Sequence, residues 1–192
     1  MDEFTNKHFT HLKTHTQYSV CEGALRISDL AKHCKEKKIR SIGLCDSFNL
    51  CGALEFSESI AKSKTQPIIG SQINIRHNEH KGKIPLFAKN LEGYKNLIKL
   101  SSKSFLSVKD DEEPHCQIKD IEENSKGLIL LSGSFDGLIG KIFFKNRTDE
   151  IIEIFKKIKD IFKDNFYIEI QRHNDEGEKQ FEKFLLNSSE KL

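Results

Sequence analysis

Histidines at positions 11 and 15, followed closely by Thr16, Tyr18 and Ser19, form the first stretch of this 192-residue chain whose residue types could do chemistry. At alternate or near-alternate positions on a strand end, imidazoles can face one way and converge on a single ion. Lys13 breaks that pattern. It stands where a working metal site would place a further ligand, yet it carries an ammonium with no lone pair at neutral pH. Other residues of interest also fall where strands end: Asp46 and Ser47, Gln72, Lys83, Ser134 and His173. Of these strand-end positions, Lys13 and His15 included, His15, Asp46 and His173 are good metal ligands, and the others are not.

The elements that must position these residues alternate between strand and helix. Phe9 to Thr14 reads as a first strand. A helix from Asp29 to about Lys38 follows, with Ser28 as its N-cap and lysines in its last turn. Ser41 to Cys45 is a short buried-type strand ending in Asp46–Ser47, and a helix over about residues 52–63 turns Leu54, Ile60 and Ala61 inward. Pro67 to Ile75 and Ile84 to Ala88 read as strands, joined by a polar turn in which His77 and His80 are an exposed pair.

Leu91 to about Ser104 has helical spacing at Leu91, Tyr94, Leu97 and Ile98. Val108 to Cys116, acidic and holding Pro114, reads as an exposed loop. Gly127 to Leu131 is a buried strand before Ser132-Gly133-Ser134. Thr148 to Phe162 carries a broad apolar stripe, Phe166 to Ile170 is a sixth strand, and a last helix starts at about Asp175. Strands separated by helices of this length imply parallel pairing with right-handed crossovers, hence an α/β barrel-like or open sheet whose functional groups gather at the C-terminal strand ends.

Composition narrows the function class. Thirty-six per cent of residues are hydrophobic and 31% charged, which is globular material. A formal net charge of +2 gives no case for a general nucleic-acid-binding surface. Five cysteines without a C-x-x-C pair argue against a disulfide framework and a zinc knuckle, so they are expected reduced. Neither a signal peptide nor a membrane-length apolar run is visible, and a cytoplasmic location with no membrane partner is expected.

Six segments carry a resemblance: HLKTHTQYSVCEGA, GLCDSFNLCGALEF, PIIGSQINI, LFAKNLEGYKNLIKLSS, KGLILLSGSFDGLIG and IEIQRHNDEGEKQF. In that order and spacing the chain resembles the N-terminal polymerase-and-histidinol-phosphatase (PHP) domain of bacterial replicative DNA polymerase III alpha subunits, of the proteobacterial type with a degenerate metal site. The resemblance implies a distorted TIM-like (β/α)7 barrel. It also implies that residues 1–192 are a single PHP domain, the N-terminal fragment of a much longer polymerase chain, incomplete at the C-terminus because the last strand or strands of the barrel lie beyond Leu192.

In active members of that family, clustered His, Asp, Glu and Cys side chains hold up to three zinc or manganese ions that activate water for phosphoester hydrolysis. Carried over, the first His-x-His falls on Lys13 and His15, the Asp-His pair on Asp46 and Ser47, the acidic ligand of the third strand on Gln72, a histidine before the fourth strand on Lys83, the ligand after the Leu-Ser-Gly run on Ser134, and a later histidine on His173. An ammonium within ~4 Å of a cation costs roughly 4 kcal/mol per unit charge at an effective dielectric of about 20. An amide or a hydroxyl restores neither charge nor affinity.

The expectation is that no metal site is intact and that this chain has no catalytic residue and no cofactor of its own. His15 then acts as a hydrogen-bonded structural histidine, Asp46 as a cap for the following loop, and Lys13 as a partner for Asp46. What the resemblance implies for function is a structural and interaction module in DNA replication. Its partners would be the rest of the polymerase alpha chain and the proofreading exonuclease subunit, with DNA met only through the parent nucleotidyltransferase. The alternative is a metal-dependent phosphoesterase or 3′–5′ exonuclease of the same superfamily.

Overall fold

The computed structural model describes residues 9–191. They divide into two compact units, the boundary falling inside one strand after Gln72.

The first unit is built on three parallel strands: β1 (His11–Thr14), β2 (Ser41–Ser47) and β3 (Gln66–His77), the last running on past the boundary. β2 and β3 pair without interruption from Ser41 against Gln66 to Ser47 against Gln72. Two helices, α1 (Ile27–Lys37) and α2 (Ala53–Lys62), pack their apolar faces on these strands, so Ile27, Leu30, Cys34, Phe56 and Ile60 join Ile42 and Leu44 in one core. α1 begins two residues earlier than its sequence suggests. Ser28 lies inside the first turn, and the N-cap is Arg26, whose side chain makes no capping bond. In α2 the buried residues are Ala53, Phe56 and Ile60, while Leu54 and Ala61 face solvent, because the strands meet the helix on the i, i+3, i+7 line and not one residue further round.

In the second unit the parallel expectation fails at β4 (His80–Ala88). β4 follows β3 through the two-residue turn Asn78–Glu79, with Asn78 at φ 53°, and pairs antiparallel with β6 (Leu128–Leu131). A two-residue turn leaves no room for a crossover helix and forces the chain back on itself. β7 (Phe166–Tyr167), shorter than expected, pairs parallel with β6. A two-residue strand β5 (Cys116–Gln117) pairs with Ile75 and Arg76, so the acidic stretch before it ends in buried His115 and Cys116.

The helices of this unit are α3 (Leu91–Leu106), α4 (Ile118–Glu123), α5 (Leu138–Phe144), α6 (Thr148–Phe162) and α7 (Glu178–Ser189). α6 has the bounds its stripe predicts, and Ile151, Ile154, Phe155, Ile158 and Phe162 are buried along it. Between α5 and α7 the rings of Phe135, Phe143, Phe144, Phe181 and Phe184 stack edge-on or tilted, with centroids 4.4–6.1 Å apart. α3 starts at Asn90, whose side chain accepts from the Gly93 amide at 2.9 Å. Its first turn lies so close to the entry of β6 that a Cβ on Gly93 would come within 1.8 Å of the Gly127 carbonyl oxygen.

Candidate functional site

At the end of β2, Asp46 is fully buried, and its carboxylate collects three hydrogen bonds from the loop after β1. Oδ1 accepts from the Thr16 amide at 2.6 Å and from the Ser19 hydroxyl at 2.6 Å; Oδ2 accepts from the Thr16 hydroxyl at 2.7 Å. Ser19 Oγ in turn accepts from the Ser47 amide at 3.2 Å and lies 3.4 Å from His15 Nδ1. The Ser47 hydroxyl donates to Glu22 and accepts from Gln72 Nε2 at 2.8 Å. His15, Asp46, Ser47 and Gln72, named from sequence, are thus brought into one polar network. Thr16, Ser19 and Glu22 complete it.

Local structure explains why the loop can reach in. Thr16 bridges to Leu25, and the loop between them closes in a tight turn with the amides of Glu22 and Gly23 bonded to the Ser19 carbonyl. Gly23 passes the Thr16 carbonyl so closely that a Cβ would lie 2.2 Å from its oxygen. Asn49 clamps the loop from the other side, its Nδ2 donating to the Tyr18 and Ser47 carbonyls at 2.9 Å each. The Tyr18 hydroxyl donates to Glu55 at 2.7 Å, and the carboxylate beside it raises the phenol above its ordinary range. His15 and Lys13 are half-buried at and just past the end of β1.

The remaining predicted positions lie in the second unit. Lys83 is half-buried in β4, and its carbonyl oxygen would stand 3.0 Å and 2.8 Å from Cβ atoms on Gly133 and Gly137, so the Ser134 turn packs directly on that strand. The Ser134 hydroxyl donates to Asp136. His173 is exposed, its Nε2 3.3 Å from Gln171 Oε1. Buried Glu178 accepts the amides of His173 and Asn174 at 2.7 and 2.8 Å, and Arg172 makes a two-pronged pair with Glu182 at 3.0 and 2.6 Å that holds the Glu182 carboxyl below its usual range.

His77 and His80 correct the exposed-pair expectation. The short turn folds both toward the first turn of α6, where their Nε2 atoms lie 3.7 Å from the two oxygens of Glu150, and His80 is only 3% exposed. Sequence reasoning missed this because β4 begins at His80 itself and the helix that covers it, α6, lies far along the chain. Among the described residues no three His, Cys, Asp or Glu side chains are grouped to hold a metal ion. No helix among them is long and apolar enough to cross a membrane.

The chain is mixed α/β, with parallel strands and an antiparallel hairpin strand, and residues 11–173 match the model of the PHP domain: the chain belongs to the PHP domain family. In fold it is similar to a protein described as a metal-dependent phosphoesterase from Bifidobacterium adolescentis, with a TM-score of 0.53 at 9% identity over 94% of this chain and 84% of that one. By sequence it is similar to DNA polymerase III subunit alpha of Caulobacter vibrioides, 36% identical over 181 residues, of Rickettsia felis, 39% over 176, and of Helicobacter pylori, 36% over 186. These matches cover 88–90% of this chain and 14–16% of the relatives. The chain therefore spans about one sixth of the length of the curated relatives it matches.

Proposed function

We propose that this chain serves DNA replication as the N-terminal PHP domain of a DNA polymerase III alpha subunit, a structural and interaction module whose own phosphoesterase site is retired. The rest of the alpha chain and the proofreading exonuclease subunit are its partners, and polymerase activity resides elsewhere in the parent chain. One observation carries the reading: the strand-end residue best suited to bind a cation, Asp46, has its carboxylate committed to Thr16 and Ser19.

The residues around it do not fit a trinuclear zinc or manganese centre. Lys13 supplies a positive charge, Ser47 a hydroxyl already shared by Glu22 and Gln72, and Gln72 a neutral amide. His15, Asp46 and His173 are remnants of the ligand set, and Lys13, Ser47, Gln72, Lys83 and Ser134 are its substituted positions. Side chains of these types do not hold the ions that phosphoester hydrolysis would need.

Metal content of the purified chain, measured by inductively coupled plasma spectrometry beside a phosphodiester assay, tests the proposal. Substoichiometric zinc and manganese without turnover is the expected result, and partial restoration by Lys13→His with Gln72→Glu should raise zinc occupancy. Multinuclear metal with turnover in the unaltered chain would establish the competing reading, a metal-dependent phosphoesterase or 3′–5′ exonuclease.

A further inference from the structure

Leu91 and Ile98 sit at helical spacing with Leu97, yet only Leu97 is buried: Leu91 is 68% and Ile98 42% exposed, joined by Phe105 at 51% and Leu106 at 85%. α3 covers the core with Leu97, Leu100 and Ser104, and the apolar residues outside that face form a second line. Leu91, Ile98 and Phe105 are seven residues apart, so at 100° per residue they lie within an arc of about 40° and span about 21 Å of helix. Half-buried Tyr94 sits between the first two. Seven-residue spacing over this length is the seam of a helix that meets another helix. Exposed apolar residues in line on one helix face mark an interaction site.

Charge identifies the occupant. Lys95 and Lys99 stand on the exposed arc beside the seam and make no ion pair among the described residues. The next lysine, Lys103, is held by Asp120 at 2.5 Å and Glu123 at 3.3 Å. Past the end of the helix the surface turns acidic, through Asp110, Asp111, Glu112 and Glu113. The first turn of α3 also carries one exposed carboxylate, Glu92, so a complementary helix sets its carboxylates against Lys95 and Lys99 and none against Glu92 or beyond Phe105.

We infer that the outer face of α3 is a docking strip for an acidic amphipathic helix, which lays an apolar seam on Leu91, Ile98 and Phe105 and sets carboxylates against Lys95 and Lys99. The strip is remote in sequence from every residue of the strand-end network, so this inference stands whether or not that network is a retired metal site.

Two synthetic 21-residue heptad peptides with the same Leu/Ile seam, one flanked by Glu and one by Lys, provide the test when titrated into the 15N-labelled chain. The acidic peptide should bind at least about tenfold more tightly, shift the resonances of residues 91–106 and lose its advantage as salt rises. Ile98→Glu should weaken it by more than about tenfold, and Lys95→Glu with Lys99→Glu should reverse the preference between the peptides. These surface changes leave the fold intact, which an unchanged dispersion of amide resonances verifies. Equal affinity for the two peptides, absence of binding, shifts centred elsewhere, or a dimer of the chain that buries Ile98 in sedimentation runs would each overturn the proposal.

Discussion

Replacing Asp46 by alanine separates a structural carboxylate from a metal ligand. The substitution deletes the acceptor for three donors at a place where Asp46 and Thr16 are both fully buried. The Thr16 amide has no other bond to turn to, and a buried donor left without a partner costs about 1–3 kcal/mol. The two hydroxyls lose less, since Ser19 Oγ can swing toward His15 Nδ1, 3.4 Å away, and Thr16 Oγ1 already accepts from the Tyr18 amide at 3.3 Å. Together the loss is roughly 3–5 kcal/mol, a large share of the 5–15 kcal/mol that holds a typical domain. For a chain of this size that lowers the melting temperature by roughly 10 °C.

Asp46→Asn should cost about 2 kcal/mol, because one amide oxygen still accepts while its NH2 opposes a donor. Urea denaturation with and without chelator is the assay. A loss below about 1 kcal/mol for the alanine variant, or a loss that chelator alone reproduces in the unaltered chain, would refute the assignment of Asp46 to the loop.

Burial pushes the Cys116 thiol up to about 12 and raises that of Cys34, so with iodoacetamide at pH 8 mass spectrometry should find label on exposed Cys21 and Cys51 only until the chain is unfolded. The same shift has a sign for stability: a thiol that holds its proton more tightly when folded contributes fully below about pH 9 and loses that contribution as pH rises toward about 12, visible as falling urea midpoints. Lys81, 2.8 Å away, holds the Glu113 carboxyl below its ordinary value. Glu113→Gln should therefore cost less than about 1 kcal/mol near neutrality, a difference that vanishes as pH falls through the carboxylate range and is readable from paired melts at pH 7 and pH 3. Gly93→Ala should destabilise by more than about 2 kcal/mol in spite of better helix propensity, because the new methyl meets the Gly127 backbone and no flexible side chain can give way.

Local pattern determined a good part of this protein. The stripe of α6 and its ends, the parallel pairing of β1, β2 and β3, and the strand-end positions of Lys13, Asp46 and Ser47 follow from periodicity and turn chemistry that neighbouring residues express on their own, whereas Gln72, expected near a strand end, falls inside β3. Tertiary structure decided what those patterns leave open. Whether an apolar helical residue is core or surface depends on which face a neighbour covers, so Leu54, Leu91 and Ile98 point outward despite their spacing. His80 was hidden by a helix that begins nearly seventy residues later, and Glu150 reaches it only because a two-residue turn reverses β4. At the strand ends the residue types were legible, but the contacts they make were not. The donors that occupy Asp46 come from 27 and 30 residues away, a separation no local periodicity records, and only chain folding brings a hydroxyl and an amide to a carboxylate across that distance.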